Sequence, residues 1–243
     1  MSQSPATQPA RDRLSCWFRS GDTLRSRSVA DAVPWATLDL PAAPGSLVAD
    51  WEQETAALDL EPGEVEPLPL DLALWPGYAS GMRATSDWTG ALGLRNLLAR
   101  TQVDLMSCRG AKYHHDATRY GRAAFCNLFL SADKGLDLHF PETGCRIPLR
   151  QGTSVIFDTG QPHAVVRHGR SSFDAADFAA GQDCTLVFLT WELPIEDAAV
   201  AGALGIRFDV EAVDAGPMAE QQLRRNGAPA RLCPESGRWV RAD

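Results

Sequence analysis

Eight short runs of strand-forming residues follow one another between residues 103 and 193. In chain order they are VDLMSC, KYHHD, AAFCNLFL, GLDLHF, CRIPL, TSVIFD, HAVVRH and TLVFLTWEL. Gly135, Gly144, Gly152 and Gly160 punctuate the series, as expected of turns. Strands this short and this evenly spaced are typical of an antiparallel barrel or sandwich. The sequence therefore predicts a mainly β domain.

Two flanking helices are predicted before these strands begin. The first follows Ser46, a residue type that caps helix N-termini. Its apolar face, at helical spacing, consists of Leu47, Trp51 and Leu58. The second helix is predicted over about residues 88–100. Its buried side consists of Leu94, Leu97 and Leu98.

The patterns divide the chain into three parts of one integrated domain. Residues 1–100 are predicted to be a flexible lead-in and the flanking helices, 101–195 the β core, and 196–243 a helical C-terminal extension. A polar segment rich in small residues, 169–183, precedes the last core strand. Loops of this length are often functional, so we expect this segment to be a mobile lid.

The charge of the chain argues against one class of partner. The formal net charge is −8 and the sequence pI is about 5.1. Such acidity gives no electrostatic reason for binding along a nucleic-acid backbone, so no nucleic-acid partner is expected. The hydrophobic fraction of 44% suits a folded globular protein.

Segments that would direct the chain to a membrane or out of the cell are not predicted. No stretch approaches the roughly 20 apolar residues that cross a bilayer, and the first residues lack the apolar core of a secretory signal. The six cysteines include no CxxC pair, which gives a zinc-ribbon or thioredoxin-like site little support. We therefore expect a reduced, cytoplasmic protein without a membrane partner.

Three residues suggest metal chemistry: His114, Asp116 and His163. His114 and Asp116 are two positions apart in KYHHD, and residues at that spacing on a strand project from the same face. His163 follows Asp116 by 47 positions, at the start of a later predicted strand. Two imidazoles and one carboxylate on one face of an octahedron leave three positions open. This is the arrangement expected of non-haem iron(II) oxygenases.

Two other histidines are predicted to lie outside this group. His115 stands between the two first ligands and is expected to point outward from the barrel. His139 alternates with Leu138 and Phe140 in GLDLHF, so it is expected to face solvent if those two residues face the core.

In their order, these segments resemble the 2-oxoglutarate-dependent iron(II) dioxygenase superfamily, and in texture its prolyl-hydroxylase-like branch. KYHHD corresponds to the family's His-x-Asp motif, and GLDLHF stands in place of its Gly-Gly-x-Leu-x-Phe turn and strand. CRIPLRQGTSVIFD matches the family's strand, Pro-x-x-Gly turn and strand. HAVVRHG carries the distal histidine, and TLVFLTWEL resembles the closing strand with its Trp.

This resemblance implies a fold, a metal and an activity. The fold would be a double-stranded β-helix, a jelly-roll core with flanking helices. His114, Asp116 and His163 would bind Fe²⁺, and 2-oxoglutarate would chelate the metal as co-substrate alongside dioxygen. The activity would be hydroxylation of a C–H bond of a small molecule or an amino-acid residue, with oxidative decarboxylation of 2-oxoglutarate to succinate.

Contacts to the co-substrate are predicted from fewer residues. The family often places an Arg or Lys about ten positions after the distal histidine, but the corresponding stretch GQDCTLVFLTW contains none. Arginine suits the far carboxylate because its planar fork binds a carboxylate bidentately. The candidates, in order, are Arg167, Arg170 and Arg122. Tyr113 and Asn127 are candidates for hydrogen bonds to the co-substrate.

Two alternatives remain open at this point. The missing basic residue favours a cupin-like metal-dependent oxygenase or isomerase that does not use 2-oxoglutarate. Such proteins more often use three or four histidines, and the carboxylate of Asp116 argues against them. The other alternative is a non-enzymatic ligand-binding jelly roll in which the triad is accidental, since His-x-Asp also arises by chance.

Overall fold

The computed structural model describes residues 13–69, 75, 77–179, 181–211 and 221–241. Its strands are β1 (Leu14–Ser20), β2 (Thr23–Ser28), β3 (Trp35–Thr37), β4 (Val65–Pro67), β5 (Val103–Cys108), β6 (Ala111–His114), β7 (Ala123–Phe129), β8 (Leu136–Phe140), β9 (Cys145–Pro148), β10 (Thr153–Asp158), β11 (His163–Arg167), β12 (Leu186–Pro194), β13 (Gln222–Arg225), β14 (Ala228–Leu232) and β15 (Trp239–Arg241). Its helices are α1 (Gly45–Leu58), α2 (Tyr78–Ala91), α3 (Ala117–Tyr120) and α4 (Ala198–Leu204), and two 3-10 turns span Leu98–Arg100 and Ala175–Phe178.

Strands β5 to β12 form two facing antiparallel sheets. The major sheet has the order β3-β10-β7-β12-β5-β4, and the minor sheet has the order β6-β11-β8-β9. The chain passes between them repeatedly, with β5, β7, β10 and β12 in the major sheet and β6, β8, β9 and β11 in the minor sheet. This strand order is that of a double-stranded β-helix, so the predicted fold class is confirmed.

Alternation along the strands separates two apolar layers. One face of the major sheet turns toward the minor sheet, and the core between them includes Phe129, Phe157 and Phe188. The opposite face packs against the helices that precede β5, with Trp51 of α1 close to Trp191 of β12 in one cluster. Every residue of β10 is buried, as expected of a strand covered on both faces.

A third sheet, β15-β14-β13-β1-β2, is joined to the β-helix by a buried ion pair. The guanidinium of Arg27 in β2 binds both carboxylate oxygens of Asp158 in β10, at 2.6 and 2.8 Å. Both side chains are fully buried. Asp158 also accepts the backbone N–H of Ala30 at 2.9 Å. These contacts therefore fix the end of β10, shortly before His163 begins β11.

The helices before the β core follow the predictions only in part. The first predicted helix is confirmed as α1, but the predicted cap is wrong, because the N-cap is Pro44 and Ser46 lies within the helix. The second prediction is wrong, because α2 spans Tyr78–Ala91 and residues 98–100 form only a 3-10 turn. Gly93 has a φ of 85°, and the N–H of Leu94 donates to the carbonyl of Thr89, which ends the helix in a left-handed turn. Leu94 is nonetheless buried, as predicted.

The described part of residues 196–243 differs from the predicted helical extension. It contains one helix, α4, followed by β13–β15. Asn226 and Gly227 have φ values of 52° and 81°, which fit a two-residue hairpin turn between β13 and β14. At the other terminus, residues 1–12 of the predicted lead-in lie outside the described residues, while Leu14–Ser20 form β1.

The predicted lid, 169–183, packs against the core through two aromatic side chains. Phe173 and Phe178 stack with ring centroids 5.3 Å apart, and both are buried. The N–H of Phe173 donates to the carbonyl of Glu235 at 2.8 Å. The mobility of this segment stays a prediction. Among the described helices, none is both long enough and apolar enough to cross a bilayer.

Candidate metal centre

The two predicted histidine ligands lie side by side in the minor sheet. His114 ends β6 and His163 begins β11, and the two are cross-strand partners. Their ring centroids are 4.3 Å apart. His163 is the buried member, with 7% of its side chain exposed, whereas His114 is 38% exposed. His163 therefore lies in the interior of the barrel. His114 lies at the solvent-exposed end of the barrel, which we call the rim.

Asp116 reaches the same point from outside the strand. We expected it on one strand with His114, but β6 ends at His114 and Asp116 precedes the single turn α3. Its backbone N–H donates to the carbonyl of Thr159 at 2.7 Å, and its carbonyl accepts the N–H of Tyr120 at 2.7 Å. Its carboxylate makes no capping hydrogen bond, so both oxygens remain available to a metal.

The three side chains have the spacing of a mononuclear metal site. Nε2 of His114 lies 3.7 Å from Oδ1 of Asp116, and Nε2 of His163 lies 3.5 Å from Oδ2. One potential ligand atom from each residue lies within 4.8 Å of the others. Ligands about 2.1 Å from a common ion are separated by roughly 3–4 Å. In the described part of the chain this is the one such cluster of His, Cys, Asp or Glu.

Hydrogen bonds behind the rings prepare both imidazoles for metal binding. Nδ1 of His114 lies 2.6 Å from the carbonyl oxygen of Lys112, and Nδ1 of His163 lies 2.9 Å from that of Gln161. A carbonyl only accepts, so each Nδ1 must carry the proton and each Nε2 presents its lone pair. Metal-binding histidines are commonly held in this way.

Burial sets the charge of the site. It lowers the pKa of His163 well below its ordinary value, and the adjacent His114 lowers it further. Burial also raises the pKa of Asp116, while His114 and His115 act in the opposite direction. A buried imidazole stays neutral and able to bind a metal, and a divalent ion would offset the cost of burying the carboxylate charge. The loaded site would carry a net positive charge.

The two other histidines, predicted to lie outside the triad, are both partly or largely buried. His115 is half-buried, and its Nδ1 is buried without a partner among the described residues. His139 is only 7% exposed, and its Nδ1 lies 2.5 Å from the hydroxyl of Tyr113. The prediction for His139 is wrong, because neighbouring segments cover the outer face of the minor sheet, whereas the outward orientation of His115 stays a prediction. Pro234 binds the N–H of Tyr113 there.

The two predicted hydrogen-bonding residues lie on opposite sides of this sheet. His139 pairs with Ala164, whose side chain points away from the face of His163, so Tyr113 lies on the outer face, away from the triad. Asn127 lies on the inner face of the major sheet. Its Oδ1 accepts the hydroxyl of Thr190 at 2.7 Å, and its amide nitrogen has no partner among the described residues.

The three arginines predicted to anchor the co-substrate are all engaged elsewhere. Arg167 donates to the carbonyl oxygens of Asp177 and Lys134 at 3.1 and 3.0 Å and to Oε1 of Gln182 at 2.5 Å. The side chain of Arg170 is 61% exposed, with Nε 3.6 Å from a carboxylate oxygen of Asp177. Arg122 is half exposed and paired with Glu196.

Sequence reasoning missed the aromatic residues beside His163 and the acidic residues on the inner face of the major sheet. Phe157 and Phe140 have ring centroids 4.7 and 6.0 Å from that of His163, and they exclude water behind it. Asp104 and Glu192 flank Thr190 on the inner face of the major sheet. The alternation of Phe188, Thr190 and Glu192 in TLVFLTWEL could have revealed this placement.

A separate cavity lies away from the triad. It measures about 730 Å³ and lies between α1 and the outer face of the major sheet, where Trp51, Thr55 and Val187 line it. None of the triad residues borders it. Its size suits a small molecule, but the metal chemistry belongs to the triad, which has the required donors.

Comparisons with known proteins give distant structural likenesses. No family model matches the chain, and no curated protein matches it. A Pseudomonas putida prolyl-4-hydroxylase is 16% identical with a TM-score of 0.38, over 67% of this chain and 92% of that one. A viral collagen prolyl hydroxylase from Paramecium Bursaria Chlorella virus-1 is 13% identical with a TM-score of 0.35, over 73% and 96%. A non-heme alpha ketoglutarate dependent epimerase from nogalamycin biosynthesis is 14% identical with a TM-score of 0.34, over 85% and 93%.

At such low identities and TM-scores, these likenesses carry no argument about the family or the activity of this chain. The fold is established by the strand order described above.

Proposed function

We propose that this chain is a non-haem iron(II) oxygenase acting on a C–H bond of a small molecule or an amino-acid residue. The observation that carries the proposal is the meeting of His114, Asp116 and His163 at one point, with both Nδ1 atoms committed to backbone carbonyls. Two imidazoles and one carboxylate suit iron(II) and leave coordination positions open for dioxygen and a chelating ligand.

The chain's own residues hold and shield this metal. His163 is fixed by Gln161 and enclosed by Phe140 and Phe157. Asp116 is placed by the backbone contact with Thr159. Bound iron would supply the activation of dioxygen, and the protein would supply position and exclusion of water.

The residues present fit the metal but not the whole of 2-oxoglutarate. Its 2-oxo acid end needs only the open face of the metal, and Asn127 could donate to it. Its far carboxylate needs a basic partner, because burying an unpaired charge is costly. Arg167, Arg170 and Arg122 each have other partners. We therefore assign no step to 2-oxoglutarate.

The engagement of these three arginines with other partners also favours a second candidate function. A metal-dependent oxygenase or isomerase that does not use 2-oxoglutarate would need no anchor for a far carboxylate. The triad would serve it equally well as a Lewis-acid site. The two candidates share the metal and differ in the requirement for a 2-oxo acid.

An anaerobic iron(II) titration of the purified full chain tests the proposal. We expect one equivalent of metal per chain, followed by dioxygen consumption that depends on iron. A weak visible charge-transfer band on adding a 2-oxo acid would favour the first candidate, and its absence would favour the second. A chain that binds no divalent metal would be the non-enzymatic jelly roll instead.

A further inference from the structure

The interior of the β-helix is poor in positive charge. On strands β5 and β7–β12, the side chains that share the inner face with Phe157 and His163 include one basic residue, Arg167. On β6, the basic side chain of Lys112 is exposed. Among the inner-face residues of these strands, only Arg167 could therefore bind a negatively charged ligand tail.

Arg167 lies at the end of β11 that is distant from the metal site, and its guanidinium already donates hydrogen bonds to other residues. It is four residues along β11 from His163, about 13 Å at the rise of a strand. Its Nε and both terminal nitrogens donate to Asp177, Lys134 and Gln182. Turning this guanidinium toward the metal would break all three contacts.

Negative charge, by contrast, is present on the inner face of the major sheet, on the side of Tyr120, whose pKa responds to Glu192, to Asp104 and to the triad residue Asp116. Thr190 is the cross-strand partner of Asp104 on one side and of Asn127 on the other, and Glu192 shares its face two residues further. Burial raises the pKa of Glu192, and the charge of Asp104 raises it further. These carboxylates are thus close enough to repel each other, and they would also repel an anionic ligand.

One exposed arginine, Arg119, lies close to Tyr120, but its positive charge is opposed by the negative charges of Asp104 and Glu192. The guanidinium of Arg119 is 5.1 Å from the ring centre of Tyr120. Its charge acts on Glu192 and Tyr120, whose pKa values also respond to Asp104. Arg119 therefore offsets part of the acidic charge without making this rim basic.

The remaining surface beside the triad is aromatic. Phe157 contacts His163, and Phe125 lies 5.9 Å from Phe157 and 5.0 Å from Tyr120 between ring centroids. Phe125 is only half-buried, so its ring is accessible from the rim. An apolar ligand tail placed against these aromatic rings is stabilised by the burial of apolar surface. A carboxylate placed there would lose its hydration without gaining a hydrogen-bond or ionic partner.

We infer that the chelating co-substrate of this site is a 2-oxo acid with an uncharged tail. The inference rests on the proposed function, because it requires iron held by the triad. The 2-oxo acid group would occupy the open face of the metal. Its tail would lie against the aromatic surface beside the triad, where the charges of Asp104 and Glu192, only partly offset by Arg119, disfavour the second carboxylate of 2-oxoglutarate.

Two ligands of the same shape measure this preference directly. 5-Methyl-2-oxohexanoate replaces the far carboxylate of 2-oxoglutarate by an isopropyl group of similar size. Each would be titrated anaerobically into the iron(II)-loaded full chain, followed by calorimetry and by the visible charge-transfer band. We expect the uncharged acid to bind at least ~10-fold more tightly, a difference of about 1.4 kcal/mol.

Charge-removing variants test the cause of the preference. Asp104→Asn and Glu192→Gln should each strengthen binding of 2-oxoglutarate by ~3-fold or more, because a repulsive charge is lost. Binding of 5-methyl-2-oxohexanoate should stay within about twofold, because it carries no far charge. Asp22→Asn is the matched control, since Asp22 is exposed in the turn between β1 and β2, and it should change neither affinity.

The outcomes separate this inference from the proposed function. Equal or tighter binding of 2-oxoglutarate by the iron-loaded wild-type chain would overturn the inference while the metal site stands. Iron binding without affinity for either acid would also overturn it, in favour of the second candidate function. Failure to bind iron at all would instead reject the proposed function.

Discussion

At the scale of single residues, the metal centre depends on hydrogen bonds directed away from the metal. The carbonyls of Lys112 and Gln161 each hold the Nδ1 of the histidine two residues later. Asp116 has no such side-chain partner and is placed by its backbone instead. The two histidines are thus oriented before a metal arrives, whereas the carboxylate can still rotate to meet it.

Removing a triad side chain should remove the metal. We expect Asp116→Ala and His163→Ala to lose iron at least ~10-fold in affinity, since each takes away one of three protein ligands. Metal content measured after anaerobic loading and desalting checks this. His115→Ala is the matched control, because His115 adjoins both ligands in sequence but is not part of the cluster. Wild-type iron content in the Asp116→Ala protein would contradict the assignment.

At the scale of elements, Arg167 ties the segment 169–183 to the barrel. Its three hydrogen bonds reach Lys134 before β8 and two residues of the segment, Asp177 and Gln182. The same segment is held by the stacked rings of Phe173 and Phe178. This arrangement explains why a basic residue occupies an inner-face position without serving the metal.

Shortening this side chain should therefore loosen the segment. Arg167→Ala is expected to speed proteolytic cleavage within 169–183 and to lower the free energy of unfolding by about 1–3 kcal/mol, because three hydrogen bonds of a charged group to partly buried or exposed acceptors are lost. Limited proteolysis and denaturant unfolding measure both effects. Arg170→Ala is the control, as its side chain is mostly exposed. If the Arg167→Ala protein instead bound 2-oxo acids more weakly while segment 169–183 stayed as resistant to proteolysis as in the wild type, Arg167 would be the anchor of the co-substrate.

These elements show how far the sequence could predict the structure. The strands β5–β12 were predictable because alternation and turn residues are local signals. His114 and His163 were found because their residue types and strand contexts are visible in the sequence. The role of Arg167 was not, since it depends on Gln182, fifteen residues away across a loop. Likewise, Asp116 is placed by Thr159, which no local pattern indicates.

At the scale of the whole molecule, the third sheet and the β-helix are joined by the Arg27–Asp158 pair. Both side chains are fully buried. Such a pair adds little stability compared with apolar residues, yet breaking it leaves an uncompensated charge. The outer sheet and the strand that precedes His163 therefore depend on the same contact.

Neutralising one partner should destabilise the entire chain. We expect Asp158→Asn to lower the free energy of unfolding by about 3–5 kcal/mol, because the Arg27 charge remains buried without its counterion. Chemical denaturation followed by circular dichroism measures this. The control is Asp209→Asn, which breaks the exposed pair with Arg25 and should leave the midpoint nearly unchanged. Equal losses in the two variants would mean that the buried pair has no special role.

The position of β6 at the margin of the minor sheet has a further consequence. Among the strands that the structure describes, this four-residue strand pairs with β11 alone, with an irregular register between His163 and Val165. Its end carries His114, which is 49 positions from His163 in sequence. An ion bound to both would act as a cross-link that closes a long ring of chain. Amide hydrogen exchange should then slow more in β6 than in β9 when metal is added, and uniform slowing would argue against a clamp. A short strand at the edge of the minor sheet would thus be held in place by the bound metal.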